Sequence, residues 1–417
     1  MNLSDELVWR GLFKQTTYKD VKILDGGPVT FYWGVDPSAD SMTIGNLAAA
    51  MLVKHLIKHG HKAVLLIGGA TGLIGDPDGK TEERNLLSPD QIESNKKAIV
   101  TQYKNLFGEH DFELVDNIDW FKDFGYLDFL RGVGKHVPMR QMLGRDFVST
   151  RLSEEGHGIS YAEFSYVLIQ AYDFLHLYKN NNVSLQVCGS DQWGNSIAGV
   201  ELIRRTENGE AHVYSLPLTT DQTTGRKFGK SEVGAVWLDP NKTTPTQFYQ
   251  FWINTADDNV EKFLKIYTEL PREEIENIMS KQKEDPSKRS GQLVLAEQVT
   301  KLVHGEGPFD TAKKVTAILT AKEALDENTG ENVLANLRQE IANVKISMGA
   351  EIAEALVSSG LASSKTEARQ LLSANAVSIN GVKTSKDHFE ADDFKNNLLL
   401  LRRGKAFKDS ALVELTN

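Results

Sequence analysis

Between Val29 and Gly69 the chain writes strand, loop, helix and strand in succession, and that order leaves few folds open. VTFYWGV (Val29 to Val35) is a buried-strand run, DPSADSMTIG a loop, NLAAAMLVKHLIKH an apolar helix closed by Gly60, and KAVLLIGG (Lys62 to Gly69) a second strand. Two strands joined through a helix lie parallel, and a parallel sheet needs cover on both faces. The alternation recurs. Ser88-Pro89-Asp90-Gln91 starts a helix with a cap, an N1 proline and a capping-box glutamine, and Ser160-Tyr161-Ala162-Glu163 starts a long one through Tyr178. VSLQVCG (Val183 to Gly189) reads as a strand, followed by a helix through Glu201 to Arg205. The fold class is therefore α/β with a mostly parallel sheet, whose ligands belong at the carboxyl ends of its strands.

After TTDQTTGRKFGKSE the character changes. Thr244-Pro245-Thr246-Gln247 caps a helix, and helical patterns continue to about Leu319 with Pro271, Pro286 and Pro308 as punctuation. The stretch 321–345 is rich in Glu, Asn and Ala, has weak periodicity, and reads as a linker with some helix. The terminal segment then restarts: EIAEALVSSG, a cap at Ser364-Lys365-Thr366-Glu367, and VSINGVK, whose Asn380-Gly381 is a type I′ hairpin signal. A chain of 417 residues has room for about three domains. The boundaries expected are 1–240, 241–320 (all-α), a linker 321–345, and a small α+β domain 346–417.

Lys and Arg number 47 against 57 Asp and Glu, a net charge of −10, so the whole surface does not attract nucleic acid indiscriminately. Any polyanion must meet local basic patches. The longest apolar stretch, Ala63 to Gly75, is broken by glycines and falls short of the ~20 residues of a spanning helix. The amino terminus MNLSDELVWR lacks the order of a secretory signal, and the single Cys188 can form no internal disulfide. A cytoplasmic location without membrane association is expected.

Two lysines follow glycines before a hydroxyl residue, Gly79-Lys80-Thr81 and Gly229-Lys230-Ser231. A P-loop needs a glycine five positions before the second one, where Ile74 and Thr224 stand, so both fail. GGATGLIGDPDG likewise misses the dinucleotide fingerprint, with Ile67 and Ala70 where a leading glycine is required. Glycines after a buried strand still let backbone approach a ligand, and Asp76, Lys80 and Arg84 follow on that loop; an exposed turn with scattered charges is the bland alternative. His55 and His59 stand at i and i+4, but Leu56 replaces the glutamate of a metalloprotease motif, and exposed helix histidines are the expectation. Tyr166, Gln170 and Asp173 fall on one helical stripe among apolar residues, facing either a cavity or solvent. Gly189-Ser190-Asp191-Gln192 lies where a parallel strand ends. In GRKFGKS, Lys227 and Lys230 flank Phe228-Gly229 and could neutralise phosphate charge on a mobile loop; a solvated basic hairpin is the alternative.

Taken together, YWGVDPSADSMTIGN, GGATGLIGDPDGK, FSYVLIQAYDF, GSDQWGN, KFGKS and SSKTEARQLLSANAVSING, in that order, resemble a class I aminoacyl-tRNA synthetase of the bacterial tyrosyl type. The likeness runs from about Trp9 through the terminal segment. It implies a Rossmann-like catalytic domain (1–240, with a helical insertion at about 118–180 and the KFGKS loop at 221–232), an α-helical anticodon-binding domain and an S4-like RNA-binding domain. It also implies an activity: tyrosine and ATP form tyrosyl-adenylate and pyrophosphate, and the tyrosyl group then passes to the terminal adenosine of tRNA. Such chemistry is mostly positioning and charge stabilisation.

The resemblance assigns residues as well. Tyr32 and Asp173 would bond the substrate phenol, Asp76, Tyr166 and Gln170 its α-ammonium, and Gln192 its carboxylate side. A pocket built around a buried hydroxyl rejects the analogue lacking it, and this enzyme family is the standard example of that effect. Asp191 would contact the ribose, and Asp36 and Ser38 would line the nucleotide site with Gly45. Lys227, Lys230 and Ser231 match the family's mobile lysine loop and with Lys80 and Arg84 would embrace the departing pyrophosphate. Magnesium would accompany ATP through its phosphates, with no dedicated protein site. Arg204, Arg205, Lys365 and Arg369 would meet RNA, and the family works as a homodimer, with Tyr161 at a position that supplies an interface aromatic.

One element departs. Where the family carries His-Ile-Gly-His, this chain reads Thr43-Ile44-Gly45-Asn46. Asn46 keeps an N–H donor, and Thr43 could give a hydroxyl hydrogen bond to a phosphate oxygen. Two other readings follow: a synthetase-like RNA-binding protein with impaired catalysis, and a tryptophan-specific cousin.

Overall fold

The computed structural model describes the chain except for residues 78–85, 109, 144–147, 149–150, 154–157, 221–229, 232–233, 321, 327, 405–406 and 417. It divides into two compact units, one of residues 1–243 and 255–295, the other of 244–254 and 296–417.

In the first unit a six-stranded sheet is built from β1 (Gln15–Thr16), β2 (Thr30–Val35), β3 (Lys62–Ile67), β4 (Phe112–Asp116), β5 (Leu185–Gly189) and β6 (His212–Leu216), ordered β1-β6-β5-β2-β3-β4. All neighbours are parallel except β1 and β6. The chain steps outward from β2 to β3 and β4, then returns to the other side of β2 for β5 and β6. That reversal makes the β2/β5 junction a topological switch point, where open α/β sheets hold ligands. Phe31, Tyr32 and Trp33 are all buried, as a strand covered on both faces requires.

Helices α1 (Leu3–Arg10), α2 (Ile44–Lys58), α3 (Gly69–Ile74), α4 (Pro89–Phe107), α5 (Tyr161–Asn181) and α6 (Trp193–Glu207) accompany the sheet. The caps expected for α4 and α5 form: Gln91 N donates to Ser88 Oγ at 3.2 Å and Glu163 N to Ser160 Oγ at 3.2 Å. Helix α2 begins at Ile44, two residues before the expected start. Of the two histidines expected to be exposed, His59, just past the end of α2, is exposed and His55 is not. His55 is buried, with Nδ1 at 3.6 Å from Glu6 of α1, because its helix face packs inward. Arg10 of α1, also buried, donates to the carbonyls of Lys265, Thr268 and Leu270.

Two short strands, β7 (Lys230–Ser231) and β8 (Gly234–Ala235), pair antiparallel. Just beyond them Ile44 N donates to Val236 O at 3.1 Å and Leu238 N to Met42 O at 2.9 Å, which stitches residues 236–238 to the chain entering α2.

In the second unit β9 (Ala342–Ile346), β10 (Val377–Ile379), β11 (Val382–Thr384), β12 (Leu398–Arg402) and β13 (Ser410–Leu415) form a sheet ordered β11-β10-β12-β13-β9. Leu399, Leu401, Ala411 and Val413 face helices Ile352–Ser358 and Lys365–Ser373, while Leu398, Leu400 and Leu412 join a second apolar cluster with Leu334 and Leu337. Asn380 and Gly381 both have positive φ, 47° and 85°, as the Asn-Gly turn demands.

The helices read as one all-α domain over 241–320 are divided between the two units. The stretch read as a linker holds a helix, Glu331–Glu340, and strand β9. Val333, Leu334, Leu337 and Ile341 bury one face there, a helical period that the Asn- and Glu-rich composition hides.

Candidate active site

A cavity of about 470 Å³ opens at the carboxyl ends of β2 and β5. It is lined by Tyr32, Asp76, Tyr166, Gln170, Asp173 and Gln192, all assigned above to tyrosine. Asp36, Ser38, Thr43, Gly45, Asn46 and Asp191, assigned to the nucleotide, line it too. The stripe on α5 therefore faces a cavity rather than solvent. Lys80, Arg84 and Lys227 lie outside the described residues. Lys230 and Ser231 are placed by backbone only, on β7 opposite Ala235 and Gly234.

A chain of hydrogen bonds runs behind this lining. Trp120 Nε1 donates to Asp173 Oδ1 at 2.9 Å, and Asn117 Nδ2 to Asp173 Oδ2 at 3.1 Å. Asn117 Nδ2 also reaches Thr71 Oγ1 at 3.0 Å, the Thr71 hydroxyl donates to Asp36 Oδ1 at 2.6 Å, and the Tyr166 hydroxyl donates to Asp36 Oδ2 at 2.7 Å. Asn117 Oδ1 accepts from Ala70 N at 2.6 Å, fixing its amide the right way round, since a backbone N–H can only donate. Two carboxylates of the lining, Asp36 and Asp173, are thus held by one relay through Asn117 and Thr71.

Burial pushes the Asp173 carboxyl well above the ordinary carboxylate range; the Asn117 and Trp120 donors pull it down, and the charges of Asp36 and Asp116 push it up again. Tyr32 and Tyr166 are likewise raised, by burial first and then by nearby carboxylates. The buried Tyr32 hydroxyl, Gln170 Oε1 and Gln186 Oε1 have no hydrogen-bond partner among the described residues. Buried polar atoms without partners are costly, and here all three belong to residues lining one hollow, as atoms meant for a polar ligand would. At the rim Gln192 Nε2 donates to Asp76 Oδ2 at 2.5 Å and Gln192 Oε1 accepts from Asn195 at 2.9 Å.

Glycine at 68 is what lets Asp36 sit there. A β-carbon on Gly68 would collide with Asp36 Oδ1 and Thr71 Oγ1, and one on Gly69 with Asp116 Oδ1. The glycine-rich stretch after β3 serves close packing of carboxylates as much as approach to a ligand.

Sequence reasoning missed Asn117, Trp120, Thr71 and Gln186. Two left a signal: Asp116-Asn117 ends a parallel strand on the side where ligands bind, and Gln186 is polar inside the otherwise apolar run of β5. Among the RNA-assigned residues, Arg204 and Arg205 pair with Glu201 at 2.8 and 3.6 Å, and Arg205 also donates to His136 O at 3.2 Å. Lys365 and Arg369 share Glu351, at 4.0 and 3.5 Å. None of these four is among the residues that line the cavity.

Residues 24–320 match the family model for tRNA synthetases class I (W and Y), and residues 334–408 that for the tyrosine--tRNA ligase SYY-like C-terminal domain. The tyrosine--tRNA ligase of Staphylococcus saprophyticus is 43% identical over 414 residues, 97% of each chain. That of Rhodopirellula baltica is 41% identical over 421 residues, 97% of this chain and 94% of its own. A C-terminally truncated mitochondrial tyrosyl-tRNA synthetase from Aspergillus nidulans superposes with a TM-score of 0.67 and 32% identity, over 75% of this chain and 92% of that one. Matched along its whole length and carrying its cavity at the switch point of a parallel sheet, the chain belongs to the bacterial-type tyrosyl-tRNA synthetases of class I.

Proposed function

We propose that the cavity holds L-tyrosine and ATP side by side and joins them as tyrosyl-adenylate, releasing pyrophosphate, before the tyrosyl group passes to the 3′ end of tRNA(Tyr). The chain is a tyrosine-tRNA ligase by its whole-length relationship to such enzymes. The residue roles rest on the cavity, and the observation that carries them is the buried, unpartnered Tyr32 hydroxyl beside Asp173 in one hollow.

In this reading the phenol of the substrate completes the hydrogen bonds of Tyr32 and Asp173. Phenylalanine would leave them unpaired. Asp76, Tyr166 and Gln170 surround the α-ammonium, with Asp36 adding negative charge through Tyr166. The substrate carboxylate attacks the α-phosphorus of ATP and pyrophosphate departs, so the protein supplies alignment and cationic stabilisation rather than a nucleophile. Lys80, Arg84, Lys227, Lys230 and Ser231 are the groups for the departing pyrophosphate. Magnesium enters with ATP as part of the substrate, carried by the nucleotide phosphates.

Two features support the remaining assignments. Tyr126, Leu127, Met139, Leu143, Leu152 and Tyr161 are exposed apolar side chains within residues 126–161, and the Tyr126 and Tyr161 hydroxyls lie 3.3 Å apart. Such a set supports a homodimer through this region. No helix among the described residues is long and apolar enough to cross a membrane, and a cytoplasmic site of action is the reading that fits protein synthesis. The second reading, impaired catalysis, draws on Thr43 and Asn46 alone.

Tyrosine-dependent ATP–pyrophosphate exchange tests the proposal, with tryptophan and phenylalanine as competitors. Exchange with tyrosine alone is expected. No exchange at saturating tyrosine supports the impaired reading, and exchange with tryptophan sinks the assignment of Tyr32 and Asp173.

A further inference from the structure

We infer that α7 (Asp257–Tyr267), a helix the sequence placed in the all-α segment, braces one wall of the cavity from outside, with Lys262 and Tyr267 as positioning residues for ATP; this rests on the cavity being the ATP site. Neither side chain is among the residues that line the cavity. They act through the chain that forms its wall.

The wall needs a brace because the sheet stops short of it. Leu216, Pro217, Leu218 and Thr219 all line the cavity, yet the pairing of β6 with β5 ends at Leu216 opposite Gly189. Past that point the ladder no longer fixes the chain, and Pro217 has no N–H with which to extend it. A β-carbon on Gly189 would stand 2.6 Å from Asp191 Oδ1 and 3.9 Å from Leu218 Cδ2. Leu218 therefore lies on the flank of the hollow that holds Asp191, the residue assigned to the ribose.

Helix α7 supplies what the ladder does not. Lys262 Nζ donates to Thr220 O at 2.9 Å, a charge-assisted bond to the carbonyl next along the chain from the wall. The hydroxyl of the fully buried Tyr267 is within hydrogen-bonding reach of the Thr219 side chain. One helix thus grips two consecutive residues.

That helix is itself anchored at both ends. At its start Asp257 Oδ1 accepts from Gln282 Nε2 at 3.1 Å and from Gln292 Nε2 at 2.6 Å. At its end the buried Arg10 of α1 donates to the carbonyls of Lys265, Thr268 and Leu270 at 3.0, 2.9 and 2.8 Å. Lys54 and Lys58 of α2 hold Glu269 at 2.9 and 2.5 Å. Residues 255–295 accordingly belong to the unit that carries the six-stranded sheet. A wall held in place before ATP arrives spares the ordering that binding would otherwise require.

The test is tyrosine-dependent pyrophosphate exchange on the full chain, with KM for ATP and KM for tyrosine measured separately in Lys262→Met, Lys262→Arg and Tyr267→Phe. Lys262→Met is expected to raise KM for ATP about 5- to 10-fold, as loss of a charged donor does, and to leave KM for tyrosine within about twofold. Lys262→Arg should recover most of the loss, since guanidinium also donates to a carbonyl. Tyr267→Phe should raise KM for ATP about 2- to 4-fold. An unmoved KM for ATP in Lys262→Met, a rise in both KM values together, or an arginine that recovers nothing overturns the inference while leaving the site reading intact. Absence of exchange in the unaltered chain overturns both. Thermal melting of each variant reports folding, and Lys262→Gln replaces Lys262→Met should the methionine variant not fold.

Discussion

The Trp120 indole donates to one oxygen of Asp173 across 2.9 Å while Asn117 donates to the other across 3.1 Å, so this buried carboxylate is gripped on both sides before any substrate is present. Trp120→Phe keeps a ring of similar shape and removes one grip. A partly freed Asp173 should bind the phenol less well and discriminate less. We expect KM for tyrosine to rise about 10-fold and the preference for tyrosine over phenylalanine to shrink by a similar factor. Pyrophosphate exchange with each amino acid measures this. Unaltered selectivity would show that Asn117 alone sets the carboxylate.

Gly68→Ala places a methyl group against Asp36 Oδ1 and Thr71 Oγ1. Something must move, and both atoms belong to the relay that joins Asp36 to Asp173. The expected stability loss is about 1–3 kcal/mol. Activity should suffer more than that figure suggests, because the shifted group is Asp36. Urea unfolding and exchange kinetics on the same preparation check both parts, and a fully active Gly68→Ala enzyme would refute the packing argument.

His55 makes stability depend on pH. Burial first, and then the Arg10 guanidinium, lowers its pKa from the ordinary value of 6.5 to about 4, against the opposite pull of Glu6 and Glu269. In the unfolded chain the imidazole takes a proton below pH 6.5; in the folded one it stays neutral down to about 4. The unfolded state thus binds more protons in that window, and stability falls as pH drops through it. Urea unfolding between pH 8 and 5 should show this slope, flattened in His55→Gln. An unchanged slope in that variant would place the dependence elsewhere.

Glu351 sits between two cations assigned to RNA, Lys365 and Arg369. Replacing it with glutamine frees Arg369 for phosphate and leaves Lys365 with Glu354 alone, at 3.9 Å. Affinity for tRNA should rise about 2- to 5-fold at low salt, with the gain fading at high salt as screening takes over. Filter binding across a salt series decides it. A variant that binds no better would remove this face from the RNA-contacting surface.

Much of this architecture was legible because it depends on local order. The strand-helix-strand run from Val29 to Gly69, the serine caps at 88 and 160, and the Asn380-Gly381 turn are each written within a few consecutive residues. Helical period put Tyr166, Gln170 and Asp173 on one stripe, but joining Tyr32 to Asp173 in one lining took the family likeness, since the two are far apart in sequence. What stayed hidden is the relay behind them. Nothing about Asn117 or Trp120 announces a bond to Asp173 across more than fifty residues of chain. His55 was misread for a related reason: its neighbours Glu6 and Arg10 belong to a different helix, α1, and a helix read alone cannot show what lies against it.

Strands β2 and β5 meet through Phe31 opposite Leu185 and Tyr32 opposite Gln186, with all of residues 36–184 synthesised between them. Until β5 emerges from the ribosome, the apolar strand Thr30–Val35 is an open margin of a partial sheet, the kind of border that invites pairing with a neighbouring nascent chain. The same junction that later borders the cavity is therefore a seam this polypeptide leaves unguarded through a long stretch of its own synthesis.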